Sequence, residues 1–177
     1  MVRQNNPALL WVALLTGASV VTTLALGCAT PFPSFAALAA LHMSRRDGLL
    51  LMLASWGASQ TVGFCLLGYP KDVTTFGWAT ALGLAAVASL LGARALRPRF
   101  AGAPVWLQLG MAYLAAFLAF KVVVLAFALG LGGVHSAVAP DILARQLVRN
   151  AAILIGLYAL YRGLRMAGLP PPQSAAA

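Results

Sequence analysis

The sequence contains no glutamate. Its acidic residues are three aspartates, Asp47, Asp72 and Asp141, in a chain of 177 residues that carries 12 lysines and arginines. General acid–base chemistry on paired carboxylates has little to draw on here, and no Ser-His-Asp order, phosphate-cradling glycine loop or HExxH motif appears. These absences weigh against an enzyme. Cysteine is scarce too: Cys28 and Cys65 are the two thiols, too few for a disulfide framework and of undefined redox state. Charged residues of either sign amount to 8%. A soluble domain of this length needs far more charge to cover its surface.

Apolar sequence is what the chain has. It is 62% hydrophobic with a mean hydropathy of +0.89, the composition of an integral membrane protein. The net charge of +9 raises the question of nucleic acid. The basic residues, however, form no run with interleaved aromatics; they sit at the ends of apolar segments, the pattern of membrane topology.

A helix of about 20 residues crosses the hydrocarbon core. Segments of that length are Ala8 to Gly27, Gly48 to Leu67, Thr74 to Leu96 and Val105 to Leu131. A further one, Ile142 to Met166, is interrupted near its start by Arg145, Arg149 and Asn150. Ser34 to Met43 is apolar but too short to cross upright, and reads as a helix extended through Phe32 or as a tilted or re-entrant one. The first segment is longer than the core of a cleavable signal and is followed by further spans, so it is expected to be retained, with the mature chain starting near Met1.

Charge asymmetry selects the count. If the short segment crosses, Arg3, Arg45, Arg46, Arg94, Arg97, Arg99, Arg162 and Arg165 fall on one side and Lys71 on the other, with Arg145 and Arg149 just inside a helix. The positive-inside rule then gives an all-α membrane protein: a six-transmembrane-helix bundle, both termini cytoplasmic, helix 2 short. Residues 1–168 form a single transmembrane domain, and 169–177, "LPPPQSAAA", read as a disordered cytoplasmic tail.

On this topology the outer loops collect the distinctive side chains. Cys28 and Phe32 lie after helix 1; Cys65, Tyr69, Lys71, Asp72 and Trp78 surround the turn between helices 3 and 4. His135, Asp141 and Arg145 surround the last outer loop. His42 and His135 fall at opposite faces, which excludes a haem held by both. A thiol in a membrane helix is ordinarily small apolar filler, but at the outer mouth it can ligate a soft or borderline metal. Lys121, in the outer half of its helix, faces the interior or snorkels outward and is a functional candidate by default. Trp56, Ser59 and Gln60 add polar and aromatic groups to helix 3, while Trp78 also suits an interfacial belt. Small residues four apart, Ala13 with Gly17 and Ala36 with Ala40, suit close helix packing inside the bundle or against a partner.

With its six-helix layout and compact size, and in the stretches "CATPFPSFAALAAL" and "SQTVGFCLLGYPKDVTTFGW", the chain resembles the substrate-binding subunits of energy-coupling factor (ECF) vitamin transporters, and among them the small cobalamin-specific type. The resemblance implies a bacterial inner-membrane uptake protein with no tightly bound cofactor, cobalamin or a related corrinoid being the substrate. It implies a site built from the loops after helices 1, 3 and 5, which here carry Cys28, Tyr69 and His135. A thiolate of Cys65 or Cys28 would serve as cobalt ligand, Cys65 having the denser neighbourhood. The candidate substrate-binding set is Cys65, Cys28, Phe32, Gln60, Tyr69, Lys71, Asp72, Trp78, Lys121, His135 and Arg145. The implied partners are the small-molecule substrate, the lipid bilayer, and a transmembrane coupling subunit with ATPases, with no nucleic acid. The family docks that subunit on alanines spaced by four on helix 1; Ala13 and Gly17 depart from the alanine pair, and some relatives act alone. Two other readings stand beside this one: a membrane redox or metal-handling protein using Cys28, Cys65 and His135, and an assembly subunit without a ligand.

Overall fold

A computed structural model describes residues 7–26 and 31–172. Among them there is no strand, and the helices follow in the order α1 (Pro7–Leu26), α2 (Phe32–His42), α3 (Arg45–Thr61), α4 (Val73–Leu96), α5 (Val105–Leu131), the short α6 (Val134–Val138) and α7 (Pro140–Met166). α3 continues through one wider turn, Val62–Leu66, closed by Leu67 N–H donating to Val62 O.

Local chemistry sets the boundaries. The Ser44 hydroxyl accepts from Asp47 N–H at 3.1 Å and donates to the Asp47 carboxylate at 2.6 Å, a reciprocal cap that starts α3 after only Met43 and Ser44 intervene. Asp72 caps α4 by accepting from Thr75 N–H. Gly68 takes a left-handed φ of 66° in the turn between them, a conformation glycine adopts without a Cβ penalty.

The expected segments are present with small shifts. The short one is α2, extended through Phe32 and ending at His42. The segment whose apolar run is interrupted is the continuous α7, as expected a helix, and two of its polar residues find partners within it. Arg145 pairs with Asp141 one turn away at 3.8 Å, and Asn150 Nδ2 donates to Gln146 O. Of the proline-rich tail, Leu169 packs against the core and Pro170 O accepts from Trp11 Nε1 at 2.9 Å; residues 173–177 lie outside the described residues.

Helix α2 is the centre of the bundle. Phe32 through Ala40 are all buried, and α3, α4, α5 and α7 all pack on it. The alanines make this possible, since Ala36, Ala39 and Ala40 are fully buried and let neighbouring backbones approach. The Ala36–Ala40 pair therefore serves packing within the bundle. Outward, Leu53, Leu84, Leu118, Val122, Leu129 and Ile155 are exposed, more apolar surface than a soluble monomer shows to water. Four helical stretches, Arg45–Leu66, Val73–Phe100, Val105–Leu131 and Pro140–Met166, are long and apolar enough to cross a membrane, consistent with a multi-pass membrane protein.

Contacts at one end fix the directions of the helices. Trp11 of α1 reaches Pro170 beyond α7, Arg94 Nη2 of α4 donates to Met43 O at 2.6 Å, and His42 stacks on Tyr161 of α7. The beginnings of α1 and α3 and the ends of α2, α4 and α7 thus lie together. Val105, which begins α5, borders the same cleft as His42 and Tyr161. This basic end holds Arg45, Arg46, Arg94, Arg97, Arg99, Arg162 and Arg165, the arginines that the sequence grouped on one side. The α3–α4 turn and α6 occupy the opposite end.

Candidate functional site

The site is framed by where α2 begins. Phe32 packs against Phe120 of α5 (ring centroids 6.3 Å apart). Ser34 Oγ donates to Asn150 O of α7 at 2.7 Å and lies 3.4 Å from Asn150 Oδ1. α5 runs on from Phe120 to Leu131, and α7 descends from Pro140 to Asn150. At 1.5 Å per residue each stands about 15 Å above the start of α2. At the end of the bundle opposite the arginines, α5 and α7 therefore run on past the start of α2.

Of the other expected residues, Lys121 of α5 is nearest that floor, next to Phe120; Gln60 of α3 stands beyond it, about 22 Å from the start of α3 against about 15 Å for the whole of α2. Gln60 Nε2 donates to Ser59 Oγ at 3.3 Å, and Trp56 below it ties α3 to α4 through Nε1 donating to Ala79 O at 2.8 Å. Lys121 shares a face of α5 with Phe117 and Tyr113, at four-residue spacing. The Tyr113 hydroxyl donates to Leu147 O at 2.6 Å, so that face looks at α7. Lys121 Nζ lies 5.8 Å from the centre of the Phe117 ring, a cation–π contact. Among the described residues no carboxylate pairs with it.

Above the floor the α3–α4 turn is tightly made. The Tyr69 ring lies edge-on to Phe64 (6.0 Å) and so close over Gly63 that no Cβ would fit there; Tyr69 N–H donates to Gly63 O at 3.1 Å. Cys65 is a free, exposed thiol in the wider turn. Lys71 is exposed. Asp72 is occupied as the cap of α4, where Thr75 N–H and the Thr75 hydroxyl hold its carboxyl below the ordinary carboxylate value. Trp78 is half-buried beside Gly133, whose left-handed φ of 90° turns the chain into α6.

The remaining candidates are not drawn into the frame. His135 is exposed on α6. Arg145 is engaged with Asp141, the two side chains being 75% and 70% exposed. Cys28 lies outside the described residues. Among the described residues no three His, Cys, Asp or Glu side chains gather as a metal set would. The floor has members that sequence reasoning did not single out as site residues: Ser34 and Tyr113 carry no spacing signal, and Asn150 registered only as an interruption of an apolar run. No family model, curated protein or solved structure matches the chain.

Proposed function

We propose that this chain is a six-span bacterial inner-membrane uptake protein that captures a micronutrient, a corrinoid such as cobalamin, in the recess above α2 and moves it inward. The observation that carries the reading is the low start of α2, about 15 Å beneath the far ends of α5 and α7, with Phe32 and Lys121 near its level and Gln60 above it. Small-ligand sites are mostly apolar with a few polar groups, and the residues around and above the start of α2 supply that mixture. Lys121 has no carboxylate partner among the described residues and suits a ligand bearing amide or phosphate acceptors. The Cys65 thiol, exposed at the rim, suits a soft donor to cobalt. The basic end faces the cytoplasm by the positive-inside rule. Ala13 and Gly17 on α1 are exposed, and a Cβ at Gly17 would meet nothing within 4 Å, an open small-residue face for a coupling subunit.

The test is spectroscopic. Protein purified in detergent is titrated with cobalamin and with cobinamide, and the visible spectrum and the amount of bound cobalt are followed. The expected result is stoichiometric binding, with a spectral change abolished by Cys65→Ser or by Cys28→Ser. Retention of the change in both variants removes the thiolate ligand, and failure to bind either corrinoid removes the substrate class. Labelling Cys65 in intact cells with a membrane-impermeant maleimide, in a Cys28→Ser background, tests the orientation; protection until the membrane is permeabilised would reverse it.

A further inference from the structure

At the basic end, ring stacking surrounds an unsatisfied nitrogen. His42, the last residue of α2, lies almost parallel to Tyr161 (centroids 4.4 Å, planes 17°) and to Tyr158 (6.2 Å, 15°). Trp11 of α1 packs on the far side of Tyr161 at 5.1 Å. Despite this packing, His42 Nε2 is buried without a hydrogen-bond partner. A buried polar atom left unpaired is uncommon and costs its full desolvation.

This stack forms one wall of a cleft of about 370 Å³, which Val105, Arg162, Arg165 and Met166 complete. Both arginines are exposed, and among the described residues neither is paired with a carboxylate. Two other arginines at this end are already engaged, Arg94 with Met43 O and Arg99 with Ala95 O, and the carboxylate of this end, Asp47, is taken by Ser44. The cleft thus presents two guanidinium forks and two phenols beside the His42 ring, and among the described residues its lining holds no carboxylate. Its size falls in the range of small-ligand sites. Guanidinium forks match planar or tetrahedral oxyanions bidentately, which ordinary membrane-topology arginines in open solvent have no need to do.

We propose that the cleft between the ends of α2 and α7 and the start of α5 is a binding site for a phosphate-bearing ligand, clamped by Arg162 and Arg165 against the His42–Tyr158–Tyr161 stack. The phosphate has two sources, an anionic phospholipid headgroup or a soluble phosphate ester. α7 is the least embedded of the long helices, with 11% of its apolar window buried, and its outward Ile155 and Leu160 leave room for an acyl chain beside the cleft. The site does not depend on which solute is carried at the other end.

The experiment is a thermal-stability titration of the full chain in neutral detergent. The probes are short-chain phosphatidylglycerol, glycerol phosphate and inorganic phosphate, with sodium chloride at matched ionic strength as reference. The expected result is a saturable rise in melting temperature with at least one phosphate probe beyond the salt reference. Saturation by the lipid alone assigns the site to the membrane, and saturation by glycerol phosphate or phosphate assigns it to a soluble ligand. Arg162→Gln and Arg165→Gln should each raise the apparent Kd roughly tenfold or more, the order of one lost charge-assisted hydrogen bond, while Arg46→Gln, on the same end outside the cleft, leaves it unchanged. Arg162 and Arg165 are exposed, so both variants fold. No saturable response, or an equal weakening by Arg46→Gln, overturns the proposal.

Discussion

Gly92 is the position at which two opposing effects of a single methyl group can be separated by magnitude. It lies within α4, where glycine costs about 1 kcal/mol relative to alanine through lost backbone entropy. On propensity alone Gly92→Ala should stabilise. A Cβ built there, however, falls 2.8 Å from Ala119 Cβ and 3.0 Å from Ala115 O of α5. Ordinary carbon–carbon contact begins near 3.5–4.0 Å, so the gap is short by about 1 Å. Neither obstacle is the far end of a flexible side chain: one is a Cβ and the other a backbone carbonyl. Relief requires α4 and α5, which pack along each other, to move apart.

Overpacking of a close-packed interior costs about 1–3 kcal/mol, and rigid neighbours put this case toward the upper part of that range. After the propensity gain is subtracted, Gly92→Ala should destabilise by about 1–2 kcal/mol. Gly110 supplies the control. It is also inside a helix, α5, but a Cβ there meets nothing within 4 Å, so Gly110→Ala should be neutral or stabilise by up to about 1 kcal/mol. Equilibrium unfolding in mixed micelles at increasing mole fraction of dodecyl sulfate, read by helical circular dichroism, measures both. Adding Ala119→Gly to Gly92→Ala removes the 2.8 Å contact and should recover part of the loss. The reasoning is refuted if Gly92→Ala is as stable as Gly110→Ala, or if Ala119→Gly is merely additive.

Two further outcomes follow from polar groups. Asp72 has a carboxyl pKa below its unfolded value, so the stability it contributes is present above the unfolded carboxylate pKa and is lost as pH falls through the folded one; Asp72→Asn should keep the cap yet flatten that acid limb in unfolding followed against pH. Ser34→Ala removes the hydroxyl that donates to Asn150 O and should cost about 0.5–1.5 kcal/mol, with amide hydrogen exchange rising first in α7, the helix that this bond ties to α2.

How much of the molecule was legible depended on which interactions are local. The helices were readable because span length and hydropathy are properties of consecutive residues, and Val105–Leu131 coincides with the segment read from sequence alone. α2 was harder, since eleven residues cannot cross upright; its burial comes from α3, α4, α5 and α7 supplying the surroundings that its own length does not. α7 was read as a span whose apolar run is interrupted by Arg145, Arg149 and Asn150, and the helix carries them because it satisfies its own backbone and lets Arg145 and Asn150 find partners one turn away. The site was less legible for the same reason. Asp72 looked like a ligand-facing charge in an otherwise apolar chain, and its nearest task is to cap α4, a role fixed by a residue three positions on. Lys121 stood out by its chemistry, but the face it occupies became clear only when Tyr113, two turns below, was seen to reach Leu147 of α7.

The floor and the cleft illustrate the limit of spacing arguments more sharply. Ser34 with Asn150, and His42 with Tyr158 and Tyr161, are joined across more than a hundred residues, and none of the five belongs to a motif. What the sequence did contain was asymmetry: arginines toward one end, thiol, aromatic and aspartate toward the other. That asymmetry is reproduced in the packing, because α2 fills the bundle from the basic end and stops short of the opposite one. A short central helix therefore has two consequences at once. At its start it leaves α5 and α7 running on for about 15 Å, and at its end it delivers His42 to the tyrosines of α7. The two proposed sites lie at the two ends of one helix, so a ligand that shifts α2 at either end alters the other, and by linkage the coupling is equal in both directions.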